Sequence, residues 1–244
     1  MAEWYKEWFN TPEYMDVYRH RDDEDALKLA DLIFKIIELK PRSRVLDMAC
    51  GFGRHSIIFA QRGMEVTAVD LSENLLAIAN TSAKKLNLNI TFVNADLRHF
   101  YIEKKFDVAL NLFTSFGYFE TDEENFKVFK QAHLHLKENG IFVFDFFNTK
   151  FLENNLPENS CENLNGFKLI QERRIIDKRI EKKIVIRKDG HEKEYMESVK
   201  LYSYAELIEM ITKVGFKIIH TFGGFAGNNF NVDTSSRLII FAKR

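Results

Sequence analysis

Cysteine is scarce: Cys50 and Cys161 are the only two in 244 residues. Two thiols are too few for a disulfide framework or a zinc cluster, and they suit a reducing compartment. Proline and glycine number only 3 and 11, and the chain is 45% hydrophobic and 29% charged. That balance excludes collagen and intrinsic disorder. No sign of charge dominates either. Lys plus Arg total 35 against 36 Asp plus Glu, a net charge of −1. The electrostatic footprint of a non-specific nucleic-acid binder is therefore missing. The longest apolar run, residues 141–147, is far short of a membrane span and contains Asp145. The first nine residues carry acids and aromatics where a signal peptide needs basic and then apolar residues. The expectation is a cytoplasmic protein of one domain with at most a modest insertion, free of membrane and of nucleic acid.

Phenylalanine is abundant, at 23 residues. Most fill the core, but Phe113, Phe116 and Phe119 sit close enough in sequence to line a pocket for an apolar or aromatic ligand. Strand and helix patterns alternate from residue 43 to about 150. Strands are expected at 44–49, 65–70, 90–94, 106–112 and 141–147. Helices are expected at 54–61, from Ser72 with Leu75, Ala79, Ala83 and Leu86 on one face, and from Thr121 to the Asn139-Gly140 pair. Such alternation implies βαβ units, a parallel sheet and right-handed crossovers. Ahead of it, residues 1–40 read as helices, the clearest with Leu27, Ala30, Phe34 and Ile37 on one face. Residues 167–201 alternate as a two- or three-stranded antiparallel insertion, turning at Lys188-Asp189-Gly190. A capping box at Ser203 opens a further helix, and strands at 216–222 and 237–242 close the chain.

The chemistry sits in Val45-Leu46-Asp47-Met48-Ala49-Cys50-Gly51-Phe52-Gly53-Arg54-His55 and in Val66-Thr67-Ala68-Val69-Asp70-Leu71-Ser72. A strand that ends in an acid, turns through two glycines and enters a helix presents bare backbone to a ligand. Asp70, at the tip of the next strand, is placed to accept hydrogen bonds from both hydroxyls of a ribose. The dinucleotide fingerprint needs a third glycine at position 56, which is Ser56. It also has no use for the carboxylate of Asp47, which suits a cationic ligand with an ammonium group. S-adenosylmethionine (SAM) combines a ribose, an amino group and a sulfonium without phosphate.

This run resembles the Asp-x-x-Cys-Gly-x-Gly-Arg-His motif of class I SAM-dependent methyltransferases. The similarity continues through Val69 to Ser72, Asp96, the residues from Asn111 to Phe119, and those from Leu136 to Asp145. The resemblance implies an α/β fold: a Rossmann-like, seven-stranded, mostly parallel sheet with helices on both faces, an N-terminal helical cap and an antiparallel β insertion after strand five. It implies SAM as cofactor and S-adenosylhomocysteine (SAH) as product. Asp47, Gly51 and Gly53 would surround the methionine part, Asp70 the ribose, and Leu71 the adenine. Asp96 would face the adenine amino group with Leu97 beside it, and Asn111 would lie near the methionine end. The expected division is residues 1–40 as cap, 41–150 with 202–244 as the SAM-binding domain, and 151–201 as insertion, either cap or dimer contact.

No catalytic residue is assigned, because holding the acceptor near the methyl carbon supplies much of the rate and a base is optional. The histidines have no metal-ligand spacing. Tyr14, Tyr18, His20, Arg21, Ser115, Phe116, Tyr118, Asn148, Phe225 and Asn229 are candidates for an acceptor pocket between cap and sheet. Tyr18 and Arg21 are also expected at the cofactor, Arg21 as partner of the SAM carboxylate. The expected function is methyl transfer to an oxygen or nitrogen of a small molecule by a monomer or homodimer. The alternatives are an RNA or protein acceptor and a non-catalytic SAM-binding protein. Strand four lacks the Asn/Asp-Pro-Pro-aromatic segment of base-amine methylases, and no Pro-Cys pair occurs.

Overall fold

The computed structural model describes residues 3–18, 23–164 and 166–244. Seven strands form the main sheet. They are β1 (Arg44–Met48), β2 (Glu65–Asp70), β3 (Ile90–Asn94), β4 (Phe106–Asn111), β5 (Leu136–Phe147), β10 (Lys217–Phe222) and β11 (Arg237–Lys243), in spatial order β10-β11-β5-β4-β1-β2-β3. All neighbours run parallel except β11, which is antiparallel to both β5 and β10. The chain passes outward from β1 to β2 and β3, then returns to lay β4 on the other side of β1. Strand order therefore reverses between β1 and β4, and their carboxyl ends open the crevice where α/β sheets bind ligands.

Both faces of the sheet are covered. On one, α3 (Asp23–Ile36), α4 (Arg54–Gln61) and α5 (Glu73–Lys85) bury Leu29, Ile33, Phe59 and Ala83 against Val45, Val66 and Phe241. On the other, α6 (Asp122–His135) and α8 (Tyr204–Lys213) set Phe129, Leu207 and Ile211 against Phe142, Phe144 and Phe146. Central strands buried on both faces read as nearly continuous apolar runs, which is why β1, β4 and β5 are plain in the sequence. The capping boxes at Thr121 and Ser203 form as expected, and Ser72 caps α5 through Leu75 N.

Several expectations need correction. The buried stripe of α3 is Ala26, Leu29, Ala30 and Ile33, while Leu27 is exposed. The pattern rotates by one residue because the aromatic Phe34 lies at the edge of the interface, against Phe59. Leu86 lies past the end of α5 and is exposed. The helix from Thr121 stops at His135, four residues early. Leu136 already pairs with Phe106, and the Asn139-Gly140 turn, with Asn139 at φ 62°, is held by Arg244 before the ladder resumes at Ile141. The insertion holds four strands rather than two or three: β6 (Asn159–Leu164), β7 (Phe167–Ile176), β8 (Arg179–Lys188) and β9 (His191–Lys200). It is preceded by an unforeseen helix, α7 (Thr149–Asn155). Strand β6, Asn-Ser-Cys-Glu-Asn-Leu, is a largely exposed edge with no apolar alternation. Among the described residues no helix is long and apolar enough to cross a membrane.

The apolar face of the second sheet is covered by the N-terminal helices α1 (Trp4–Trp8) and α2 (Pro12–Tyr18). Trp8, Val17 and Tyr18 pack on Phe167, Leu169, Ile184 and Ile186. Trp8 is 1% exposed, lies 4.4 Å from Tyr195 between ring centroids, and donates Nε1–H to Glu197 at 2.7 Å. Arg179 ties the same sheet to the loop after β4, donating to the carbonyls of Phe119 and Gly117, each at 3.3 Å. Removing the indole should therefore cost about 3–5 kcal/mol, the usual penalty for truncating a buried Trp. Trp8→Ala is expected to speed amide exchange across β8 and β9 while leaving β1 and β4 protected. Uniform loss of protection across both sheets would contradict this placement.

Candidate functional site

Strand β1 ends in a tight turn. Ala49, Gly51 and Gly53 all have positive φ, at 60°, 55° and 84°. At Gly53 a Cβ would lie 2.9 Å from the Cβ of Ala79, so only glycine lets α4 start this close to α5. The turn is pinned from β2. Asp70 accepts the Gly51 N–H at 2.7 Å through one oxygen and the Ser72 N–H at 2.9 Å through the other. One carboxylate thus joins the glycine turn to the start of α5. Burial raises the Asp70 pKa, and the backbone N–H bonds oppose it.

Asp47 sits behind the turn, 3% exposed, and accepts the Ser56 hydroxyl at 2.5 Å. Burial, reinforced by the charge of Asp70, raises its pKa to about 6 despite the Ser56 bond. Asn111 lies at the carboxyl end of β4, fully buried. Its amide donates to the Met48 and Ser115 carbonyls, each at 3.1 Å, bridging β1 to the loop after β4, and its Oδ1 has no partner among the described residues. His55, at the start of α4, is held neutral by burial, with its pKa near 3.

Two adjoining hollows open from the crevice. The smaller, about 50 Å³, is lined by Asp70, Leu71, Asp96 and Leu97 at the tips of β2 and β3, with Ala49, Ser115, Phe116 and Phe119. Its roof is Tyr5 and Phe9 from α1, plus Tyr118. Ser72 Oγ holds this roof, reaching the Asn10 side chain at 2.8 Å. Asp96 is gripped by Arg98, whose Nε and Nη2 donate to it at 3.1 and 2.7 Å. Although burial opposes it, those bonds keep the Asp96 carboxyl below its usual range.

The larger hollow, about 390 Å³, lies beside the first and shares Phe9 and Tyr118 with it. Its walls include Trp4, Tyr14, Phe113, Phe147 and Phe225; its charged groups are Asp25, Glu197 and Arg237. Glu197 accepts from Trp8 and Tyr18 and faces Lys182 at 3.7 Å. A still larger groove, about 760 Å³, flanks α7 and the outer strands of the second sheet. It shares no residue with the glycine turn, and Arg174 and Glu181 within it pair with each other at 2.9 Å.

Of the residues expected at the cofactor, the structure gathers Asp70, Leu71, Asp96 and Leu97 around the small hollow and Asp47, Gly51, Gly53 and Asn111 around the turn beside it. Tyr18 lies elsewhere, under the larger hollow, hydrogen-bonded to Glu197 and Lys182. Arg21 and His20 fall outside the described residues. Tyr14, Tyr118 and Phe225 line the larger hollow, and Ser115 and Phe116 the smaller. Asn148 serves the fold, donating to the Val232 and Ser235 carbonyls at 2.8 and 2.7 Å, and Asn229 is exposed. Asp25, Glu197 and Arg237 carry no local signal of such a place in the sequence. Glu197 stands in a strand dense in charge, which reads as a solvated face, and only tertiary contact shows otherwise.

Residues 45–140 match the methyltransferase domain family. A putative methyltransferase of Bacillus subtilis, YqeM, is 35% identical over 108 residues, 44% of this chain and 43% of that protein. Over that stretch the chain is similar to methyltransferases. The dTDP-3-amino-3,4,6-trideoxy-α-D-glucopyranose N,N-dimethyltransferase of Streptomyces venezuelae is 30% identical over 129 residues, 52% of this chain and 53% of that one. The chain thus spans about half the length of these curated relatives, or less. A SAM-dependent methyltransferase from Clostridium acetobutylicum shares the fold along 95% of this chain and 96% of its own, with a TM-score of 0.82 at 20% identity.

The buried Asp47 generates a pH dependence. The unfolded carboxyl gives up its proton near 3.8 and the folded one near 6. Between those values the unfolded state holds fewer protons, so stability falls as pH rises, by about 3 kcal/mol for a shift of this size. Urea unfolding from pH 4 to 7 should show that Asp47→Asn removes this decline. An unchanged slope would mean that Asp47 is not carried into the fold at this cost.

Proposed function

We propose that the chain transfers the methyl group of SAM to the nitrogen of a small-molecule amine. The carrying observation is the 390 Å³ aromatic hollow, which shares Phe9 and Tyr118 with the roofed crevice. Its size is that of a site for one compact ligand. Its walls of Trp4, Phe9, Tyr14 and Tyr118, with the carboxylates of Glu197 and Asp25, suit an amine by quadrupole and charge. The amino-sugar dimethyltransferase among the relatives supports nitrogen over oxygen.

The residues fit the cofactor. Asp47 and Asp70 are two buried carboxylates, the charge of Asp70 helps raise the Asp47 pKa, and a cation near the turn would relieve that cost. The unpartnered Asn111 Oδ1 offers an acceptor at the β4 end for an ammonium group. In this reading Asp70 holds the ribose, Leu71 and Leu97 pack on the adenine, and Asp96, oriented by Arg98, takes the adenine amino group. Arg21 keeps its proposed role at the methionine carboxylate. When bound, SAM supplies a methyl carbon on a sulfonium, a good leaving group, so orientation alone contributes roughly 7–11 kcal/mol. The hollow of 50 Å³ is smaller than ligand sites of about 300–1,000 Å³. Tyr5 and Phe9 therefore have to lift from the crevice to admit the cofactor.

The apolar face of the insertion is already covered by α1 and α2, so the cap reading is favoured over a dimer contact there. Incubation with methyl-labelled SAM and a panel of small primary and secondary amines, with tRNA and a cell-protein fraction in parallel, tests the proposal. Label should enter small amines and increase when the pH is raised through the amine's own pKa. Label confined to RNA or protein would overturn it.

A further inference from the structure

Arg237 opens β11 and reaches into the larger hollow from a fixed mount. Its Nε donates to Asp145 Oδ1 at 2.9 Å, its Nη2 approaches the same oxygen at 2.8 Å, and Nη2 also donates to Thr114 Oγ1 at 2.9 Å. Asp145 is fully buried, and its other oxygen accepts the Phe113 N–H at 2.8 Å. Phe113 and Thr114 both stand in the left-handed region, at φ 54° and 63°. Two such residues in succession are costly and persist only where the surroundings hold them. The Asp145–Arg237 pair does so, and in return the loop fixes the guanidinium. Phe147 and Phe225 lie 5.8 Å from it on either ring centroid.

This mount leaves one edge of the guanidinium uncommitted. Nη1 makes no hydrogen bond or ion pair among the described residues, although Arg237 lines the hollow and its side chain is 20% exposed. The other charged groups of the hollow have cations of their own: Lys182 lies 3.7 Å from Glu197, and Lys28 lies 3.9 Å from Asp25. A planar, permanently charged group with a free N–H edge, flanked by aromatic rings, is suited to a carboxylate or phosphate oxygen. Resting on the reading of the hollow as the acceptor site, we infer that Arg237 anchors an oxyanion of the methyl acceptor, which is therefore an amine that also carries a carboxylate or a phosphate.

Trp4 in the hollow wall supplies the readout. The SAH-saturated protein is titrated by tryptophan fluorescence with sarcosine, O-phosphoethanolamine and N-methylethanolamine, which share an amine and differ in carrying a carboxylate, a phosphate or a hydroxyl. At least one anionic probe should bind tenfold or more tightly than N-methylethanolamine, and whichever does names the oxyanion. Arg237→Gln should abolish that preference while changing SAH affinity less than twofold; if that variant does not fold, Arg237→Lys should weaken the preference. Equal binding of all three amines would overturn the anchor and leave the amine reading intact, whereas binding of none would overturn both. A tenfold loss of SAH affinity in Arg237→Gln with the probe preference unchanged would place the guanidinium on the cofactor instead and overturn the inference.

Discussion

The whole crevice depends on one carboxylate. Asp70 takes the Gly51 N–H with one oxygen and the Ser72 N–H with the other, fixing the turn after β1 against the start of α5. Everything that lines the small hollow is placed from that junction. The turn sets the mouth of β1; Ser72, held in position, caps α5 and through its hydroxyl reaches Asn10 and the Phe9 carbonyl just past α1. The roof of Tyr5 and Phe9 is therefore tied to the N-cap that the carboxylate holds.

Charge placement sets the glycine turn apart. Asp47 and Asp70 are both buried, the charge of Asp70 helps raise the Asp47 pKa, and burying carboxylates is costly unless something positive offsets it. Among the described residues neither has a cationic side chain bonded to it. Elsewhere acids are paired: the buried Asp145 with Arg237, and the half-buried Asp96 with Arg98. The exception falls at the glycine turn, where a ligand bearing an ammonium and a sulfonium would complete the balance.

The parallel sheet, the glycine turn and the strand-end acids are legible in the sequence because each rests on local chemistry: apolar runs of strand length, positive-φ glycines, Asp70 at a strand tip. Local signals also mark both capping boxes. What is not legible depends on contacts across the chain. Strand β6 has no apolar rhythm, being a wet edge. The stripe of α3 turns on which face Phe59 presents, and the early end of α6 turns on Leu136 meeting Phe106. Glu197 and Arg237 look like surface charges in their strands. They become site residues only because α1, α2 and the loop after β4 fold over them, bringing residues 4, 14, 113, 197 and 237 around one hollow.

The central proposal is that the Asp70 junction holds the cofactor's ribose, and calorimetry with SAH on wild type and Asp70→Asn tests it most directly. The amide keeps the shape and one acceptor oxygen, but loses the charge that strengthens hydrogen bonds from ribose hydroxyls, each worth about 1.5–3 kcal/mol. The account predicts that SAH affinity falls at least tenfold in a variant that still unfolds cooperatively. A folded Asp70→Asn protein that binds SAH as tightly as wild type would contradict it.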